Sequence, residues 1–347
     1  MAAIVDIDEK WLRCQNRLLD DVSRTFALTI PQLPGRLRHA VGNAYLLCRI
    51  ADIIEDEPTL DANQKAEFSN RFIEVMRGEE NAIAFSGELA GHLSPVTSPG
   101  EVDLIRNVPQ VIAITHLLNN AQRQSIEDCV RVMIKGMVEF QRNADISGLR
   151  DLRSLDRYCY CVAGVVGEML TEMFCDHSTV IEQQRDQLFP LARSFGQGLQ
   201  MTNILKDIWE DRQRGACWLP RDVFRQVGVD LEVMSGGQVN PDFAIGIREL
   251  IAIARFHLDG ALKYTLMIPP RETGIRRHCL WAIGMAVLTL RRIHANPSFS
   301  RGEDVKISRR SVRATIFATN LLVLSDRGLK VYFALLSAGL PRIASEQ

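Results

Sequence analysis

Apolar residues along this chain recur at helical spacing far more often than they alternate. Residues 37–54 carry a helical pattern that ends in acid, and Pro58 stops it soon after. Residues 64–77 predict a second helix, halted at Gly78. Residues 91–100, with Pro95 and Pro99, read as a loop. Residues 103–119 and 123–142 predict long helices. In the latter, Ile126, Val130, Met133, Ile134 and Met137 share one stripe, which fits core packing far better than a cofactor surface. Residues 154–174 are rich in small and apolar types, and Gly164 and Gly167 permit close helix packing. A further helix is expected over 188–210, and Trp218-Leu-Pro220 closes the loop after it. After a loop-rich stretch over 227–242, helices are expected at 243–264, 276–293 and 311–340. Residues 295–310 are expected to form a mobile basic segment. No βαβ rhythm and no repeat of fixed period is found. The expectation is all-α, as a single large helical domain over residues 1–347.

Two acidic stretches stand out within that pattern. The first is Asp52-Ile-Ile-Glu55-Asp56, and the second runs from Asn203 through Asp207 and Glu210 to Asp211. Residues three and four apart share a helix face, so Asp52, Glu55 and Asp56 project together, as do Asn203, Asp207 and Asp211. Like charges this close oppose a helix unless cations lie among them. Two such faces turned toward each other would hold hard divalent cations, with magnesium keeping positions open for a substrate phosphate. The alternative is a pair of solvated surface faces. Ile53, Ile54, Ile204, Leu205 and Ile208 favour helices embedded in a core, where buried acids need counter-charge. Arg24, Arg49, Lys206, Arg212 and Arg214 lie nearby and suit phosphate oxygens, although ordinary ion pairing explains them equally.

Composition narrows the field. The chain has 347 residues, 46% hydrophobic, with 41 basic and 42 acidic side chains. A net charge of -1 gives no global field for nucleic acid. The eight cysteines form no CxxC pair and no zinc-type spacing, so reduced thiols are expected. The start has no basic region followed by an apolar one, and no window reaches 18 uncharged apolar residues. Residues 321–340 contain Asp326, Arg327 and Lys330 and fit an amphipathic or core helix. A soluble, cytoplasmic protein without a transmembrane span is expected, with room for a lipid-facing patch. Gly196-Gln-Gly198 has no preceding strand and no third glycine, so helix packing explains it rather than a dinucleotide loop.

Four further blocks sharpen the picture. Ser23-Arg24-Thr25-Phe26-Ala27 precedes Tyr45-Leu-Leu-Cys-Arg49, which leads into the first acidic stretch. Asp156-Arg-Tyr158-Cys-Tyr160 continues to Gly164 and Gly167. Gln200-Met-Thr-Asn203 opens the second acidic stretch, and Val305-Lys306-Ile307 follows later. In this order, over residues 23 to about 315, the chain resembles the squalene/phytoene synthase superfamily, on its squalene synthase side.

The resemblance implies an isoprenoid synthase fold with a central active-site cavity, and head-to-head joining of two farnesyl diphosphates. Presqualene diphosphate would form first, followed by NADPH-dependent reduction to squalene, a sterol or hopanoid precursor. The implied cofactors are Mg2+ and NADPH. The implied metal ligands are Asp52, Glu55, Asp56, Asn203, Asp207 and Asp211. Ser23, Arg24, Phe26, Arg49, Gln200, Lys206, Glu210 and Arg212 would bind substrate. Tyr158 matches the family's proton-relay tyrosine, Tyr45 a second motif tyrosine, and Asp52 and Asp207 serve catalysis through the metal. Lys306, Arg309 and Asn203 would meet NADPH, with Arg310 and Arg313 adding charge. Trp281 is expected in the core. The chain departs from the family where Gly215 is followed by Ala216 and Cys217 rather than a nearby basic residue, leaving that contact to Arg212 or Arg214. Peripheral membrane contact for product release is compatible with the resemblance. The rival readings are a reductant-independent synthase of presqualene diphosphate, dehydrosqualene or phytoene, and a non-catalytic assembly factor on the same fold.

Overall fold

The computed structural model describes residues 9–23, 25–238 and 240–343. Helices dominate, and no strand occurs among the described residues beyond an isolated bridge between Leu149 and Pro220. The chain forms two compact units interleaved in sequence: residues 1–142 with 168–183, and residues 143–167 with 184–347.

The first unit is organised around helix Gly35–Asp56. From Ala40 to Ile54 every residue of this helix is buried except Tyr45, Arg49 and Asp52. Inside, Asn43 is fully buried and donates to Val111 O (3.2 Å) and Thr115 Oγ1 (2.7 Å), which keeps a polar group satisfied in the core. Helix Ala62–Arg77 follows the expectation closely. Asp61 and Gln64 form a capping box, and Gly78 closes the helix at φ 79°, a conformation glycine adopts without strain. The single helix expected over 103–119 is instead two, Pro99–Arg106 and Val108–Leu117. Pro109 has no N–H to continue the ladder, and Asn107 turns its Nδ2 back onto Asp103 O at 2.7 Å.

The second unit packs helices Arg185–Lys206, Pro241–Met267 and Thr273–Ala295 against one another. Glycine permits the closest approaches. A Cβ on Gly196 would lie 2.0 Å from Ala163 O, and one on Gly167 would lie 2.1 Å from Ala192 O. Gly196-Gln-Gly198 is thus a packing feature, as expected. Trp281 is buried, also as expected. The run over 154–174 contains helix Leu152–Cys159, a π-turn at Tyr160–Gly164 and helix Val165–His177. The helix expected over 188–210 breaks at Asp207 (φ -102°, ψ 15°) and resumes as Ile208–Gln213. The helix expected over 311–340 is a pair, Arg309–Leu322 and Asp326–Leu336, with Ser325 capping the second.

Gly196→Ala should destabilise the protein by about 1–3 kcal/mol through overpacking, measured by chemical denaturation. Gly87 lies exposed in helix Ala82–His92 with nothing within 4 Å of an added Cβ. Gly87→Ala should therefore stabilise by about 0.5–1 kcal/mol.

Candidate active site

In the first unit, the residues left accessible on helix Gly35–Asp56 from Ala40 onward are those singled out by sequence. Tyr45, Arg49, Asp52 and Asp56 follow at intervals of four, three and four, and form one stripe. Three of its turns are otherwise buried, so this stripe is not the solvated face of a surface helix.

Ser23 and Phe26 meet the start of that stripe. The Phe26 amide donates to Ser23 Oγ at 2.9 Å, and the Phe26 and Tyr45 rings lie 5.2 Å apart. Tyr45 Oη donates to Val22 O at 3.3 Å, and burial raises the phenol above its usual range despite the Ser23 hydroxyl beside it. Arg24 lies outside the described residues.

Arg49 is shared between two acids. It contacts Asp52 at 3.4 Å and makes a shorter hydrogen bond to Glu101. Glu101 is fixed in turn: its other carboxylate oxygen accepts from Ser98 N at 2.9 Å, closing the capping box of helix Pro99–Arg106. Burial opposes the Arg49 charge, but Asp52 and Glu101 more than offset it. Sequence reasoning missed Glu101. The Ser98-Pro-Gly-Glu101 signature reveals the cap but not its partner 52 residues away.

Glu55 accepts from Gln141 Nε2 at 3.2 Å, and Lys65 Nζ bonds the Glu55 carbonyl at 2.5 Å. Burial, then Asp56 and Asp52, raises the Glu55 carboxyl to about 8. Burial raises Asp52 to about 6 although Arg49 pulls the other way. Asp56 is exposed.

In the second unit the same layout recurs. From Phe195 to Trp209 the residues not buried are Leu199, Gln200, Asn203, Lys206 and Asp207. Gln200, Asn203 and Asp207 thus form an accessible stripe at helical spacing, and Asp211, also not buried, lies four residues on. Lys206 Nζ pairs with Asp207 Oδ2 at 2.9 Å, and burial still raises the Asp207 carboxyl. Glu210 Oε1 accepts from Gly302 N at 2.7 Å. Arg212 donates to Ile146 O (2.7 Å) and Glu232 O (3.2 Å), so its guanidinium braces two loops. Among the described residues, no three His, Cys, Asp or Glu side chains converge as a ready-made metal centre.

Tyr158 is buried and stacks on Trp218 with ring centroids 4.2 Å apart and planes at 10°. Trp218 was read only as loop closure. The stretch over 295–310 has three anchors: Phe299 and Val305 are buried, and Gly302 holds Glu210. Lys306 and Arg309 are exposed, as are Arg310 and Arg313.

The sequence model of the squalene/phytoene synthase family matches residues 19–311. This chain belongs to that family. A squalene synthase of Botryococcus braunii is 28% identical over 303 residues, covering 86% of this chain and 61% of its own length. The squalene synthase ERG9 of Candida albicans is 27% identical over 302 residues, covering 85% of this chain and 64% of its own. The chain therefore spans less than two thirds of these relatives. Among solved structures, the complex of TcSQS with the ligand BPH1237 superposes with a TM-score of 0.77 at 23% identity, covering 98% of this chain and 94% of that one. The fold is the all-α isoprenoid synthase fold.

The family's acidic residues carry a pH signature in this chain. Burial raises the Glu55 carboxyl from its ordinary 4.5 to about 8, so the folded state holds more protons across that window. The associated stability is complete below about 4.5 and is lost as pH rises through about 8. Thermal melts of metal-free protein should fall across this interval, and Glu55→Gln should flatten the fall. Parallel curves for the two proteins would contradict the assignment.

Proposed function

We propose that residues 1–347 act as one synthase domain that condenses two farnesyl diphosphates to presqualene diphosphate and reduces it to squalene with NADPH. The observation that carries this is the matched pair of accessible stripes on otherwise buried helices, at the family's two acidic motifs. The squalene synthase relatives support the choice of product.

Asp52, Glu55, Asp56, Asn203, Asp207 and Asp211 offer hard oxygen donors of the kind magnesium takes. A preformed group of three is not needed, because magnesium keeps several waters and draws ligands from substrate phosphates. When bound, the ion supplies Lewis-acid neutralisation of the departing diphosphate. Arg49, already oriented by Glu101, presents a fixed guanidinium to phosphate oxygens, and Lys206 adds a point charge. Ser23, Phe26 and Gln200 line the substrate side of their stripes. Glu210 and Arg212 contribute by holding the turns around the second stripe.

In the first half-reaction the C–O bond of one diphosphate breaks, a C–C bond forms to the second prenyl chain, and a ring-closing proton is lost. Tyr158, held flat against Trp218, passes that proton toward released diphosphate. Tyr45 orients the neighbouring phosphate. After the remaining diphosphate leaves, Lys306, Arg309 and Asn203 would hold NADPH, which would supply hydride to the rearranged cation.

Incubation of pure protein with farnesyl diphosphate and magnesium, with and without NADPH, tests this by mass spectrometry. Squalene should appear only with NADPH. A product unchanged by NADPH would establish the reductant-independent reading. Asp52→Asn and Asp207→Asn should each cut turnover roughly a hundredfold or more while the protein stays folded. Full cellular function of both variants would favour an assembly factor.

A further inference from the structure

Gln197 is a buried polar residue that the proposed chemistry leaves without a task. It stands between Gly196 and Gly198 in helix Arg185–Lys206. Both glycines serve close packing: Gly196 meets Ala163 O, and a Cβ on Gly198 would lie 3.0 Å from His257 Cβ. Packing alone does not call for an amide between them, because a methionine would fill the same space with no donor to satisfy. The amide is engaged at Asp156. Gln197 Nε2 donates to Asp156 Oδ1 at 2.6 Å and also reaches Asp156 O at 3.4 Å.

Asp156 belongs to neither acidic stretch, and it is exposed. A carboxylate with water at hand gives up hydration to take this bond, so the net gain in stability is small. The geometric consequence is larger. Asp156 precedes Tyr158 by two residues on helix Leu152–Cys159, and Ala163 follows Tyr158 by five in the π-turn. Gly196 and Gln197, neighbours on one helix, therefore hold the backbone on either side of Tyr158, while Trp218 holds its ring. The same helix continues to the second accessible stripe. Asn203 lies six residues past Gln197, about 9 Å along the axis.

We propose that Gln197 is a positioning residue that acts through Asp156 to register Tyr158 against the second acidic stripe. The proposal rests on the reading of Tyr158 as the proton relay, and it names what aims that relay. Proton transfer depends on near-contact geometry, and a misplacement of about 1 Å can cost a hundredfold in rate. When Tyr158 is off its mark, the ring-closing proton is not taken in time. Water then adds to the cation and gives up a proton of its own, so an alcohol forms in place of the cyclopropane.

Gln197→Met keeps the length of the side chain and removes the donor. Asp156 can turn to water, so the variant should melt within a few degrees of wild type. Its turnover of farnesyl diphosphate should fall roughly tenfold or more, and its products should shift from presqualene diphosphate toward alcohols. Asp156→Asn keeps an acceptor for Gln197 and should hold the wild-type product ratio. Near-UV circular dichroism reads the clamp without turnover. The band of the Tyr158–Trp218 stack, assigned by its loss in Trp218→Phe, should weaken in Gln197→Met and persist in Asp156→Asn. A wild-type product ratio and a wild-type band in Gln197→Met overturn the proposal. So does a fall in turnover that tracks a lower melting temperature at an unchanged product ratio, the mark of a merely structural bond. Failure of the relay reading looks different: wild type itself would form no presqualene diphosphate, and the near-UV band would then decide alone whether Gln197 places Tyr158.

Discussion

Two helices of this chain have buried stretches that leave one stripe accessible, and that stripe carries acids. Charges at the edge of an apolar core must be balanced, because low-dielectric surroundings strengthen attraction and repulsion alike. In the first unit the balance is incomplete. Asp52, Glu55 and Asp56 crowd one helix end, while Arg49 is divided between Asp52 and Glu101. The excess shows in Asp52 and Glu55, both held above the usual carboxylate range.

Packing supplies the other half of the design. Glycines let helix backbones approach more closely than any side chain would allow, with Gly196 against Ala163 O and Gly167 against Ala192 O. Ala163 lies in the π-turn that follows Tyr158. Such turns insert a residue into a helix and re-aim its neighbours, and they occur often at functional sites. The turn therefore serves both the close approach and the placement of Tyr158, whose ring is fixed by Trp218.

Periodicity revealed most of the long helices, though not Glu9–Val22 or Ala82–His92, and the first acidic stretch lies on one continuous helix as its spacing indicated, whereas the second is broken at Asp207. Breaks within helices were harder to read. At Asn107 and near Ser325 the apolar pattern continues while the backbone turns, because a proline or a side-chain cap outweighs a weak local preference, whereas at Asp207 the backbone turns with neither. Partners distant in sequence were invisible. Glu101 for Arg49, Gln141 for Glu55 and Gly302 for Glu210 lie 52, 86 and 92 residues away, and nothing in a local motif encodes them. Arg212 looked like a phosphate ligand because its position is motif-like, yet carbonyls of two loops occupy it.

Glu210 shows how one motif divides its labour. Asp207 and Glu210 are three residues apart and chemically alike, but they face different neighbours. Asp207 lies on the accessible stripe, whereas Glu210 accepts the Gly302 amide and keeps its second oxygen buried. A Cβ on Gly302 would come within 3.1 Å of Lys206 O and 3.2 Å of Asp207 Oδ1, so a larger residue would crowd that turn. The turn carries Lys306 and leads into the helix that begins at Arg309. The position of the basic segment is thus referenced to the second acidic stretch by a charge-assisted hydrogen bond and by the Phe299 ring, whose centroid lies 6.5 Å from that of Trp209. Removing the Glu210 carboxylate would disturb the cations downstream of Gly302 before it disturbed Asp207, whose amide is held by Asn203 O at 2.9 Å at the end of helix Arg185–Lys206.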